Sequence, residues 1–168
     1  VLDGKNIRFE ELPCKDQELS FEILHRKLKE KIQIENFNQD TLKTLNLYDD
    51  VNGFNNAAGL LADKNHFSGI DIVKFGENIS IIQKRSTFEN ISVLEVYEKA
   101  IDVFRDYYHY EVIQGVDRKK MEKIPEAAFR EAIANALIHR VWDVDSQIRV
   151  SMFEDRIEIV SPGGLPSG

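Results

Sequence analysis

Apolar residues follow two rhythms along this chain, one of three to four residues and one of two. From Glu18 to Ile32 the large apolar positions are Phe21, Leu24, Leu28 and Ile32, the period of an amphipathic helix. Lys27, Lys29 and Lys31 lie mostly on its other side. Asn38-Gln39-Asp40 is placed to cap a short helix carrying Leu42, Leu45 and Leu47. Asn52-Gly53 reads as a turn, and Phe54 to Ala62 as a small-residue helix able to pack closely on a sheet. Ile70 to Phe75 and Ile79 to Lys84 read as strands joined by the three-residue loop Gly76-Glu77-Asn78. Asn90 to Tyr110 is predicted as a long helix with Val93, Val96, Tyr97, Ile101, Phe104 and Tyr108 on its inner face. Before all of these, Asp3-Gly4 makes a turn and Ile7, Phe9 and Glu10 sit around an extended piece.

The texture changes after the basic run Arg118-Lys119-Lys120, which reads as a solvated linker. Pro125 can open a helix, because a first-turn proline loses no intrahelical bond, and Glu126 to Val141 follows as that helix. Ser146 to Phe153 alternates Ile148, Val150 and Met152 with Arg149 and Ser151, a strand. Glu154-Asp155 turns the chain, Arg156 to Val160 alternates again, and Pro162-Gly163-Gly164 breaks the sheet. The expected fold class is α+β. A mixed helix and sheet module is expected over residues 1–88, and a second module over 89–168.

Composition narrows the function classes. The chain has 168 residues, 42% hydrophobic and 30% charged, a globular balance. No apolar run reaches the roughly 18–20 residues of a membrane span, and no signal peptide is visible, so no membrane partner and a cytoplasmic setting are expected. The net charge of −7 argues against nonspecific DNA binding by this piece, since neutralising phosphates needs clustered Lys and Arg. The single cysteine, Cys14, excludes an internal disulfide. His25, His66, His109 and His139 lack the paired spacing of a zinc site. The start without Met and the end just past a Gly-Pro cluster predict a piece of something longer.

The stretch EAAFREAIANALIHR carries the candidate chemistry. Phe129, Ile133 and Leu137 are four apart and form an apolar stripe. Glu131, Asn135 and His139 are also four apart and lie nearly opposite it. Alanines at 132, 134 and 136 leave room for a close approach. Magnesium takes oxygen ligands in octahedral geometry and few of them from protein, so one Asn oxygen could serve. A Glu one turn earlier could accept a proton from an attacking water. An exposed polar helix face is the bland alternative for the same spacing.

The run Glu131-Ala-Ile-Ala-Asn135-Ala136 resembles the N-box of GHKL ATPases, the superfamily of gyrase-type, MutL-type, chaperone and sensor-kinase enzymes. IPEAAFREAIANALIHR with IRVSMFEDRIEIVSPGGLPSG resembles, more specifically, a family of bacterial transcriptional regulators. That family is related to mammalian Schlafen proteins, carries an AlbA-like nucleic-acid-binding domain, and is often labelled RecG-like ATP-dependent DNA helicase. FNNAAGLLADKN is similar to its middle region. The resemblance implies that 1–88 is that middle module and 89–168 the opening half of a GHKL-like α/β sandwich. It implies Glu131 as catalytic base, Asn135 as magnesium ligand, and Ser161, Gly163 and Gly164 as the turn beneath adenine. Where the GHKL pattern has an Asp for the adenine amino group, this chain has Ser161. Losing such a charge-assisted bond, about 1.5–3 kcal/mol, weakens adenine binding by roughly ten- to over a hundredfold. ATP and Mg are the implied cofactors of the longer protein, with neither expected to bind this piece alone. DNA is the implied partner through domains absent here. A degenerate fold kept for protein interaction or oligomerisation is the rival reading. An unpaired edge on Arg156 to Val160 or Ser146 to Phe153 is expected either to pair with a second copy of the chain or to leave the region after about Asp155 poorly ordered.

Overall fold

A computed structural model describes residues 8–76, 81–113 and 124–162, and is an α+β protein. The chain forms two compact units, Val1–Phe67 with Asn90–Leu94, and Ser68–Glu89 with Glu95–Gly168. This division differs from a break at about residue 88. The hairpin that the sequence groups with the first module pairs instead with a strand from the far end of the chain.

The first unit is built by polar side chains that serve the backbone. Phe9–Glu11 is a single 3-10 turn, where the sequence suggested a strand. Helix α1, Glu22–Ile32, has no N-cap side chain of its own. Asp63 replaces it from a distance: its carboxylate accepts from Glu22 N at 2.8 Å, Ile23 N at 2.9 Å and Ser20 Oγ at 2.9 Å. Helix α2, Gln39–Thr44, starts in a reciprocal capping box of Asn38 and Thr41. Strands β1 (Tyr48–Asp49) and β2 (Gly53–Phe54) form a minimal antiparallel pair around the Asn52-Gly53 turn. Helix α3, Asn56–Leu61, is capped by Asn55. Buried Asn65 donates to the carbonyls of Gly59 and Ile91 and accepts from Phe67 N. The asparagines of FNNAAGLLADKN thus hold main chain in place. Phe21, Leu24, Leu42, Leu47, Ala58 and Ala62 form the core around them.

Among the described residues, the second unit is a four-stranded mixed sheet with two helices. Strands β3 (Ile70–Phe75), β4 (Ile82–Phe88), β5 (Ile148–Met152) and β6 (Ile157–Val160) lie in the order β4-β3-β5-β6. β3 and β4 are antiparallel, β3 and β5 parallel, β5 and β6 antiparallel. β4 therefore begins later and runs further than Ile79 to Lys84; the loop residues 77–80 lie outside the described residues. Register places Ile70 beside Ile148 and Ile72 beside Val150, and all four are 0–1% exposed. Side chains alternate along a strand, so this face holds the core and the other carries Asp71, Arg149 and Ser151. Asp71 is the buried polar member there, receiving Arg85 Nε at 3.0 Å, Nη2 at 2.8 Å and Thr87 Oγ1 at 3.0 Å. Gly69 has no room for a side chain, because a Cβ would run into the Phe88 carbonyl.

Helix α4, Val93–Ile113, buries Val96, Ala100, Ile101, Phe104, Tyr107 and Tyr108. Helix α5, Glu126–His139, buries Phe129, Ile133, Ala136 and Leu137. The two helices meet through Phe104 and Phe129, whose rings stack at 4.5 Å between centroids. No helix among the described residues is long and apolar enough to cross a membrane.

Candidate functional site

Helix α5 is fixed at both ends, and this determines which face it offers. At its start, Glu126 accepts from Arg105 Nε at 2.5 Å and Nη2 at 3.0 Å, and from Arg130 Nε at 3.0 Å. The hydrogen bonds from Arg105, then Arg130, hold its carboxyl down at about 2 despite desolvation. This pairing ties the first turn of α5 to α4.

The far end is held by residues that follow the helix. Trp142 Nε1 donates to Leu137 O at 3.2 Å. Arg140 is 3% exposed, its guanidinium 4.2 Å from the centre of the Trp142 ring. Its Nη2 reaches Val144 O at 2.8 Å and its Nη1 reaches Ser68 O at 3.4 Å, while Nε is buried without a partner among the described residues. Burial pushes this guanidinium below its ordinary value, and the Asp145 charge opposes that. Ser68 Oγ in turn donates to Asp145 at 2.6 Å. Sequence reasoning missed these anchors. The signal was present in the Arg-x-Trp after the helix, two bulky polar residues where a solvated loop would carry neither.

Between these anchors the helix presents the expected pair. Glu131 and Asn135 are exposed, one turn apart, while Phe129, Ile133 and Leu137 are buried on the other side. Neither Glu131 nor Asn135 has a hydrogen-bond or ion-pair partner among the described residues. Exposed Ala128 and Ala132 flank them. Among the described residues no three His, Cys, Asp or Glu side chains stand together as a metal cage.

Ser161 comes to the same helix from the end of the sheet. Its hydroxyl donates to Ala136 O at 3.4 Å, and Pro162 O accepts from Val141 N at 3.4 Å. The segment after β6 therefore meets the helix at the Ala136 carbonyl and meets the chain again at Val141, just beyond its last turn. Gly163 and Gly164 lie outside the described residues. The Ser161 proton is directed at Ala136, which leaves oxygen lone pairs free to accept from a ligand.

Comparison with known proteins bears on this region. Residues 145–168 match the family model described as "Putative ATP-dependent DNA helicase recG C-terminal". That stretch contains β5, β6 and the Ser161 segment, and it indicates an ATPase-like domain. No curated protein matches the chain. A solved structure similar to it is that of the DIP2311 protein from Corynebacterium diphtheriae. The TM-score is 0.74 at 22% identity, over 96% of this chain and 33% of that one. Such identity carries the α+β fold and no more, and this chain spans about a third of that protein's length.

Proposed function

We propose that the second unit is the opening part of a GHKL-like ATP-binding domain belonging to a longer protein, a DNA-binding transcriptional regulator of the Schlafen-related kind. The observation that carries this reading is the meeting of three things on α5. These are a carboxylate and, one turn on, an amide, both without a partner among the described residues, and the Ser161 hydroxyl at the next carbonyl along.

The residues fit an ATP–magnesium ligand in kind. Asn135 would hold magnesium through Oδ1, and Ser161 would accept from the adenine amino group through Oγ. The Gly163-Gly164 pair in the sequence allows close approach of a ring. Bound ATP supplies the terminal phosphate as electrophile. Glu131 is placed to take the proton of an attacking water on its carboxylate. Phe129, Ile133 and Leu137 keep the helix from rolling, so both polar groups stay on one side.

A second reading, a degenerate fold serving protein interaction, is favoured by one residue. Ser161 offers a neutral acceptor where a carboxylate would bind adenine more strongly.

Titration of the longest natural chain carrying this sequence with ATP and magnesium tests the choice. Magnesium-dependent binding is expected, with Glu131→Ala abolishing turnover but leaving binding. Asn135→Ala should weaken the magnesium-dependent part. Unchanged affinity and magnesium dependence in Asn135→Ala would remove the ligand assignment, and no binding at all would leave the interaction reading.

A further inference from the structure

Arg140 carries its charge inside the protein without a counter-ion of its own. It is buried and makes no ion pair among the described residues. Asp145, whose charge reaches it, already accepts from Ser68 Oγ at 2.6 Å. A buried guanidinium without a bonded carboxylate is costly unless other dipoles take that place. Main-chain carbonyls do so here: those of Val144 at 2.8 Å, Ser68 at 3.4 Å and Val141 at 3.5 Å. The Trp142 ring lies against the guanidinium plane. A planar fork can bond carbonyls in two directions and stack at once; a lysine ammonium cannot.

The turn held in this way is the one that meets the Ser161 segment. Arg140 leaves α5 in an extended conformation, φ −65° and ψ 155°, with its own N–H on Ala136 O at 3.1 Å. The same carbonyl accepts from Ser161 Oγ. The next N–H along, that of Val141, donates to Pro162 O. Ser161 and Pro162 are thus seated on main chain at Ala136 and Val141, and the Arg140 side chain fixes the path of that chain as it leaves the helix.

We infer that Arg140 is a positioning residue for nucleobase recognition at Ser161. Its guanidinium holds residues 141–144, the Val141 N–H holds Pro162, and the Ser161 hydroxyl is thereby kept on Ala136 O with its lone pairs outward. Arg140 acts through these groups and does not itself touch the ligand. This inference rests on the nucleotide-binding reading above and adds to it the residue that sets the base-reading group.

Calorimetry on the longest natural chain, with ATP, GTP and inorganic tripolyphosphate, each with magnesium, tests it. Arg140→Lys keeps the charge and loses the fork. It should weaken ATP about three- to tenfold, the worth of one neutral hydrogen bond, and leave GTP and tripolyphosphate unchanged. Val141→Pro keeps Arg140 and removes only the N–H on Pro162. Arg140 already has the extended conformation that a following proline requires. The same selective loss of ATP is expected there, and the double variant should lose no more than either single one, since all three break one linkage. A merely structural role would weaken every ligand alike. An equal loss for tripolyphosphate therefore overturns the inference while the site reading stands, as does an ATP affinity unaltered in Val141→Pro, the deciding variant if Arg140→Lys does not fold. A wild-type chain that binds none of the three overturns both.

Discussion

Ser161 and Ala136 are joined across 25 positions of sequence, hydroxyl to main-chain oxygen at 3.4 Å. A serine here gives its one proton to the helix and presents only lone pairs outward. Ser161→Asp gives up that bond but offers a charged acceptor. Adenine-nucleotide affinity of the longest natural chain is expected to rise about tenfold or more, with no matching gain for guanine nucleotides. Calorimetry with ATP and GTP measures this; equal gains for both would remove adenine recognition from Ser161.

Asp71 links two neighbouring strands to one carboxylate. Burial pushes its carboxyl up, but the hydrogen bonds from Arg85 and Thr87 and the Arg149 charge prevail, and it lies below its ordinary value. A depressed carboxyl contributes stability that is fully present above its unfolded pKa, about 4. That stability is lost as pH falls from there through the folded value. Asp71→Asn is expected to cost about 1.5–3 kcal/mol, the worth of hydrogen bonds to a charged group. It should also flatten the acid limb of stability against pH. Urea unfolding of wild type and variant between pH 3 and 7 reads both.

Gly69 touches main chain, not a side chain that could step aside. Gly69→Ala forces its Cβ against the Phe88 carbonyl oxygen, and the strand must move. A loss of about 1–3 kcal/mol, or more, is expected. Thermal unfolding measures it, and a melting temperature within a degree of wild type would contradict the close approach.

The outer edge of β6 has no strand beside it among the described residues. Open N–H and C=O groups recruit other strands, and charged side chains are the usual deterrent. Glu158, held by Arg156 Nε at 3.0 Å, is exposed along this strand beside exposed Val160. We expect this chain to form dimers through the edge at high concentration. Glu158→Val should strengthen the association. Light scattering across a concentration series checks it, and a monomer in both forms at millimolar concentration would exclude strand addition here.

Elements with a strong period or a cap were legible in the sequence. The α5 stripe Phe129, Ile133 and Leu137 is buried as its spacing required, and Asn38 caps α2. β4 was misplaced because its residues Gln83 to Thr87 are mostly exposed. An edge strand wet on both faces has no alternation to read, and the apolar Ile79 to Ile82 drew the assignment earlier. β1 and β2 are two residues each, too short for any period. At the site, the helical spacing placed Glu131 and Asn135 together, since that is local geometry. The return of Ser161 to Ala136, the Arg140 anchor and the β3–β5 pairing join distant segments, and no local pattern encodes them.

The parallel pairing of Ile70 with Ile148 also sets an order of events in time. On a growing chain, β3 emerges long before the only described strand that covers its second edge. Until β5 arrives, Ile70 and Ile72 must wait in an unfinished hairpin, while α1, α2 and α3 already have every described partner they need. Closing so wide a loop before its contacts form is slow, and waiting apolar strands are prone to aggregate. Production of the second unit should therefore depend on temperature and chaperone supply far more than production of the first.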